Sequence, residues 1–362
     1  MPHADPVQES ARILAICNAC RYCEGYCAVF PAMELRTVFT PADVNYLANL
    51  CHQCAECYYA CQYAPPHEFA VNVPKTLAEA RLQSYRRHAW PRMFAGAFTR
   101  NETFVARLVG ACMLLAIIAA VFLPGADRVV NDFYRIVPHA AMAGLFGVVA
   151  LFVALALLIA LARFSKQLRG VSIGTSAALA QATRDALSLR YLNNGGSGCT
   201  YPRDADSQAR RWFHHFTFYG FLLCFAATCV AAIYHYGFGW LAPYGYFSAP
   251  VVLGTLGGIG LLIGPAGLYL LKQRRDPAIA DSRQDGMDTA FLLLLFLTSA
   301  TGLLLLALRQ TVAMGPLLVI HLGFVLALFL TMPYGKFVHG LYRFAALLRY
   351  AAERRGATPH FD

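Results

Sequence analysis

Charge is scarce in this sequence of 362 residues: Asp, Glu, Lys and Arg make up 14% of it, against about a quarter in a soluble domain. That shortage excludes an ordinary water-soluble globule. Nucleotide signatures are missing as well. No GxGxxG follows a strand pattern and no P-loop occurs, so the chain offers no cradle for FAD, NAD or ATP. The N-terminus has no basic stretch running into an apolar one, so it does not read as a secretory leader. Everything before the first apolar run is therefore expected in the cytoplasm. Residues 1–103 carry no net charge, with nine basic and nine acidic residues. The overall +10 thus lies elsewhere, beside the apolar runs, and nucleic-acid binding is rejected. There is no internal repeat and no low-complexity segment.

What is abundant is apolar sequence, 58% of the chain. Six runs, near 104–123, 136–164, 212–236, 251–271, 287–308 and 317–334, match the ~20 residues needed to cross a bilayer core. The connection 165–211 holds seven basic and three acidic residues, the link 272–285 four and three, and the segment after Tyr334 five and two. The opposite connections are poor: 124–135 is balanced and 237–250 is uncharged. Lys and Arg mark the cytoplasmic side of membrane proteins. The expectation is a multi-pass protein of the bacterial inner membrane with both termini cytoplasmic. Its parts would be a soluble domain at 1–103, a membrane bundle at 104–340 with a cytoplasmic loop at 165–211, and a basic tail at 341–362. Local signals in the soluble part are helical. Thr40-Pro41-Ala42-Asp43 supplies an N-cap, a proline at the first helical position and an early acid, and Asn72-Val73-Pro74-Lys75 opens a second helix.

Eight of the twelve cysteines fall in the soluble segment. They form two copies of one pattern, Cys17-x2-Cys20-x2-Cys23-x3-Cys27 and Cys51-x2-Cys54-x2-Cys57-x3-Cys61. Three thiolates this close together can hold three irons of a cubane, and the fourth ligates the neighbouring cluster in two-cluster ferredoxins. Two [4Fe–4S] clusters with crossed ligation are expected: Cys17, Cys20, Cys23 and Cys61 on one, and Cys51, Cys54, Cys57 and Cys27 on the other. Zinc would use paired ligands separated by a longer gap, and each copy here has a surplus cysteine. The proline that usually follows the fourth cysteine is Ala28 in one copy and Gln62 in the other. Cys112, Cys224 and Cys229 lie in apolar runs and read as small hydrophobes. Cys199 reads as a loop residue. With helix signals between the motifs, the fold class is mainly α: an N-terminal α-helical ferredoxin-like two-cluster domain, then a six-helix transmembrane cytochrome b-like bundle.

Histidines in a membrane are costly and so are functional candidates. His321 and His339 are eighteen residues apart, five turns of one helix, which sets them on one face roughly 27 Å apart. His214 and His235 occupy matching depths on the third run. Two helices bearing histidine at both depths suit b-type haem, one or two groups. His339 with His214 would hold the cytoplasmic one, and His321 with His235 the outer one. His215 and His139 stand in reserve, with His139 able to replace His235. His52, His67 and His88 near the clusters read as tuning or packing residues.

The cysteine motifs, the run CQYAPPHEFAVNVPKTLAEAR, the loop LRYLNNGGSGC and the stretch RRWFHHFTFYGF together resemble tricarballylate-utilisation protein B, also called citrate-utilisation protein B, over essentially the whole chain. That family is related to the membrane half of CobZ. The run carrying His321 and His339 is also similar to the haem-bearing membrane subunit of respiratory nitrate reductase, over that helix only. The family resemblance implies a partner, a soluble FAD-dependent dehydrogenase of tricarballylate. Its reduced flavin would pass electrons through clusters and haem to the quinone pool, and substrate chemistry would belong to the partner. Rival roles are an electron donor running in the opposite direction, a cluster-based redox sensor and a transporter. Against transport, the apolar runs hold no Asp, Glu or Lys away from their edges, and a carrier has no need of eight cluster thiolates.

Overall fold

The computed structural model describes residues 5–122, 132–168, 175–192 and 207–356. Cys199 and the glycine-rich loop around it lie outside them. No strand forms among the described residues, and the chain is helical throughout.

The soluble part is built from α1 (Pro6–Cys20), α2 (Val29–Glu34), α3 (Pro41–Leu50), α4 (Glu56–Tyr59) and α5 (Val73–His88). The expected start signals operate. Thr40 and Asp43 close a reciprocal capping box ahead of Pro41, and Asn72 accepts from the Lys75 amide. Helix α3 ends where Cys51 turns extended, so the second cysteine motif begins where that helix stops.

Among the described residues, six helices are long and apolar enough to cross a membrane: α6 (Asn101–Phe122), α8 (His139–Gln167), α10 (Ala209–Phe238), α11 (Ala249–Gln273), α12 (Ser282–Leu308) and α13 (Met314–Thr331). Short α7 (Phe133–Ile136) precedes α8. Helices α10 and α11 pack closest, along small residues. A Cβ on Gly257 would meet the Cys224 amide nitrogen at 2.8 Å, and one on Gly220 would meet the Gly257 carbonyl at 2.9 Å. Bare backbone lets the helices touch, as small-residue seams do between membrane helices.

Two expectations from the sequence need correction. His321 and His339 do not share a helix: α13 ends at Thr331, Met332–Tyr334 forms a single tight turn, and Gly335 is extended. Pro333 cannot donate to a continuing helix, so the chain turns and restarts as α14 (Val338–Gly356). Of the basic tail expected at 341–362, the described part, through Gly356, is helix α14 and is packed into the protein. Tyr342, Ala346, Leu347 and Tyr350 of α14 are buried in one core with Leu47 of α3, Tyr85 of α5 and Phe164 of α8. Helix α9 (Ser176–Leu187), the amphipathic part of the long connection, contributes Ala178 and Ala182 to that core. A buried charge network ties the joint. Arg36 reaches Asp43 at 2.8 Å and Glu353 at 2.5 Å, Arg349 reaches Glu353 at 2.8 Å, and the Tyr46 hydroxyl donates to Glu353 at 3.0 Å. The soluble domain, α9 and α14 therefore gather in one core with the C-terminal part of α8.

Candidate electron-transfer site

The local pattern of each motif brings three thiols around one turn, and the packing of α1 against α3 and α5 crosses the fourth. The thiols neighbouring Cys17 are those of Cys61, Cys23 and Cys20. Those facing Cys27 belong to Cys54 and Cys51, and Cys57 faces Cys54, Cys51 and Cys27. Cys57 also neighbours Cys23 across the gap between the two groups. Burial first, then crowding by the other thiols, pushes Cys17 up to about 12 and Cys23 to about 11. The same causes raise Cys27 and Cys57. Buried, crowded thiols of this kind keep their protons until a metal replaces them.

Cys17, Cys20, Cys23, Cys57 and Cys61 line a cavity of about 270 Å³. Among the described residues, no three Cys, His, Asp or Glu side chains converge on the point a single ion would occupy. What favours a cubane over zinc is the motif spacing, three close thiols with a fourth beyond, rather than two separated pairs. Tyr22, 69% exposed, stands at the mouth of this cavity, so the first set lies toward solvent.

The second set lies inward and is clamped by three arginines that sequence reasoning missed. Arg81 of α5 donates to the Cys51 carbonyl at 2.7 Å, and Arg343 of α14 donates to the same oxygen at 2.6 Å. Arg210 of α10 donates to the carbonyls of Gln53 and His52, each at 2.8 Å. Helices from both parts of the protein therefore hold the segment carrying Cys51 and Cys54. The only signal available in the sequence was the placing of Arg210 and Arg343 just beyond apolar runs.

Behind this segment a cavity of about 530 Å³ runs between α10, α11, α12 and α14, lined by Cys54, His52, His214 and His339 among others. The rings of His214 and His339 face each other with centroids 6.2 Å apart and planes at 72°. Two imidazoles sharing one metal, each bonded at about 2 Å through a ring nitrogen, would place their centroids at roughly this separation. The Nδ1–H of His339 donates to the Lys336 carbonyl at 2.8 Å, which leaves Nε2 free as a ligand. His214 Nδ1 is buried without a hydrogen-bond partner. Burial, then the nearby cations Lys336 and Arg343, drive the His339 pKa well below its ordinary value. His52 is lowered by the same kind of surroundings, burial with Arg343 and Arg210. His339 is thus held neutral, the form that binds metal. Two imidazoles facing one cavity have the chemistry and spacing to hold a b-type haem.

The other histidines part company with expectation. His235 does not meet His321. It stacks on His139 of α8, with centroids 3.7 Å apart and planes at 14°. His321 faces α12, its Nδ1 lying 3.1 Å from the Thr301 hydroxyl. The reason is packing: α13 lies mainly against α6 and α12, whereas α10 lies mainly against α11, so His321 and His235 are carried apart. His215 turns from the cavity to stack on Tyr219. His88 sits in the aromatic core beside Phe164 and Tyr342, and His67 packs on Tyr63 and Phe69, closing the turn that follows Cys61.

Cubane-ready cysteine sets on a six-span helical bundle define a membrane iron–sulfur electron-transfer protein. Residues 10–87 match the model of the "Citrate utilization protein B Fer4-like domain", and residues 98–360 that of "Citrate utilization protein B". Citrate utilization protein B of Escherichia coli is 52% identical over 355 residues, covering 97% of this chain and 93% of the relative. The chain belongs to the citrate utilization protein B family. No solved structure matches it.

Proposed function

We propose that the chain reoxidises the reduced FAD of a soluble dehydrogenase and passes the electrons through two [4Fe–4S] clusters and a b-type haem to membrane quinone. The observation that carries this reading is the line of sites. One thiol set opens to solvent beside Tyr22, the next is clamped behind it, and the cavity with the facing imidazoles of His214 and His339 lines up beyond Cys54. The order runs inward from water to membrane. A flavoprotein would dock at the exposed end, and a lipid-soluble acceptor suits the buried end.

When bound, haem supplies one-electron exchange at a potential set by its two ligands. His339 is oriented for that duty by the Lys336 carbonyl, and the Arg81, Arg210 and Arg343 clamp fixes the second thiol set beside it. The relative's name places it in citrate utilization. On this chain the corresponding partner would be a tricarballylate or citrate-type dehydrogenase, with all substrate chemistry in that partner. The reading also places the chain in a bacterial inner membrane, with the cluster domain and both termini in the cytoplasm.

The test reconstitutes the purified protein anaerobically with its reduced flavoprotein and a short-chain quinone. Flavin oxidation should require both protein and quinone, and should stop in Cys54→Ser. Flavin oxidation at the same rate in that variant would overturn the reading.

A further inference from the structure

The large cavity has a second wall that haem ligation leaves unused. It is built by the end of α11, the start of α12 and the turn before α14. On it the Lys336 ammonium meets the Asp288 carboxylate at 2.7 Å, and Lys272 donates to the Thr289 hydroxyl at 2.6 Å and to the Asp285 carbonyl. Lys272, Asp288 and Lys336 line the same cavity as His214 and His339. Leu268, Leu271 and Leu292 of the two spans continue its lining.

Lys272 stands at the end of α11, Asp288 near the start of α12 and Lys336 in the turn before α14, so all three charges sit at one rim of the cavity. A buried ion pair is weak evidence for stability, since an apolar pair of the same volume often holds helices as well. Anchoring α12 to the turn before α14 would need one pair. It would not need Lys272 on a third element, aimed at the same space. A polar head end continuous with a leucine-lined trough describes the seat of an amphiphile. The ligand must also accept what the cluster line delivers.

We propose that this wall is the quinone-reduction site. The head group would lie between Lys272 and the Lys336–Asp288 pair, and the isoprenoid tail along Leu268, Leu271 and Leu292. The proposal rests on the reading that electrons leave to quinone. In the reaction two electrons arrive one at a time from the cluster line, and two protons are added to the quinone oxygens. Both C=O groups become C–OH, giving quinol. Lys272 and Asp288 hand on the protons, which are replaced from water on the cluster side of the membrane.

The test uses the purified holoprotein with decylubiquinone as probe. It compares wild type with Lys272→Met, with the charge-neutral pair Asp288→Asn/Lys336→Gln, and with Leu268→Trp, which narrows the trough without touching a charge. Haem content, cluster content and the dithionite-reduced spectrum should be unchanged in all three. KM for decylubiquinone should rise several-fold in each, and the quinone-induced shift of the haem band should disappear in the first two. Three results would count against the proposal. If reduced wild-type protein is not oxidised by decylubiquinone, the underlying quinone reading fails. If wild type is oxidised and Leu268→Trp and Lys272→Met match it in KM and band shift, only the site assignment fails. If the polar variants lose haem while Leu268→Trp keeps a normal KM, the wall belongs to the haem seat instead.

Discussion

The cysteines show how far single residues can be read. Two copies of one spacing point to a ligand set and a crossed pairing, because three thiols of each motif lie close in sequence and only one must find a distant partner. The structure brings Cys61 among Cys17, Cys20 and Cys23, and Cys27 among Cys51, Cys54 and Cys57. Replacing Cys27 by Ser should therefore cost the cluster on Cys51, Cys54 and Cys57, about four of roughly eight irons, and spare the other. Iron analysis with low-temperature EPR of the reduced protein checks this, and loss of the other cluster would refute the crossing. The histidines were only half legible. Hydropathy runs unbroken from residue 317 to Tyr334, but Pro333 and Gly335 are break signals in the sequence itself, and the five-turn spacing of His321 and His339 reads across them. His139 facing His235 depends on how α8 lies against α10, which no single-helix period reports. The Arg81, Arg210 and Arg343 clamp was invisible for the same reason.

At the scale of elements, α14 and α10 carry most of the consequence. Helix α14 supplies His339 and is fastened to α3 through Glu353, whose side chain is 8% exposed. Removing one member of a buried pair strands the other, at a cost of about 3–5 kcal/mol. Glu353→Ala should thus lower the thermal midpoint of the solubilised protein and weaken haem retention. An unchanged midpoint would show that the network does not hold α14 in place. The same joint is acid-sensitive. Burial alone would raise the Asp43 carboxyl, but hydrogen bonds from Thr40 and Arg36 outweigh it and hold the pKa below the ordinary value. A depressed carboxyl stabilises the fold above its unfolded pKa of about 4, and that contribution is lost as pH falls through the lower folded value. Asp43→Asn should be less stable than wild type at neutral pH, with the difference shrinking on acidification below roughly pH 4. Helix α10 depends on its bare seam. Gly257→Leu has no room against Cys224, so α10 should be displaced with His214 on it, and haem content should fall while the clusters persist. Helix caps such as Thr40 and Asn72 were readable because they are local; the joining of α9 and α14 to the cluster domain was not.

For the whole molecule, the charge bias of the connections and the packing of both described ends into one core are compatible with six spans. A periplasm-active reporter should be silent after Asp362 and active when inserted within 237–250. Activity at the C-terminus would demand an odd number of spans or an inverted protein. The central claim is that the cluster domain feeds a haem seated between His214 and His339, and an anaerobic visible spectrum tests it most directly. The purified wild-type protein, reduced with dithionite, should show a b-type α-band that is lost or strongly diminished in His214→Ala and in His339→Ala, with the cluster signals unchanged. A full α-band in His339→Ala, or none in wild type prepared with its haem supply intact, would contradict the account.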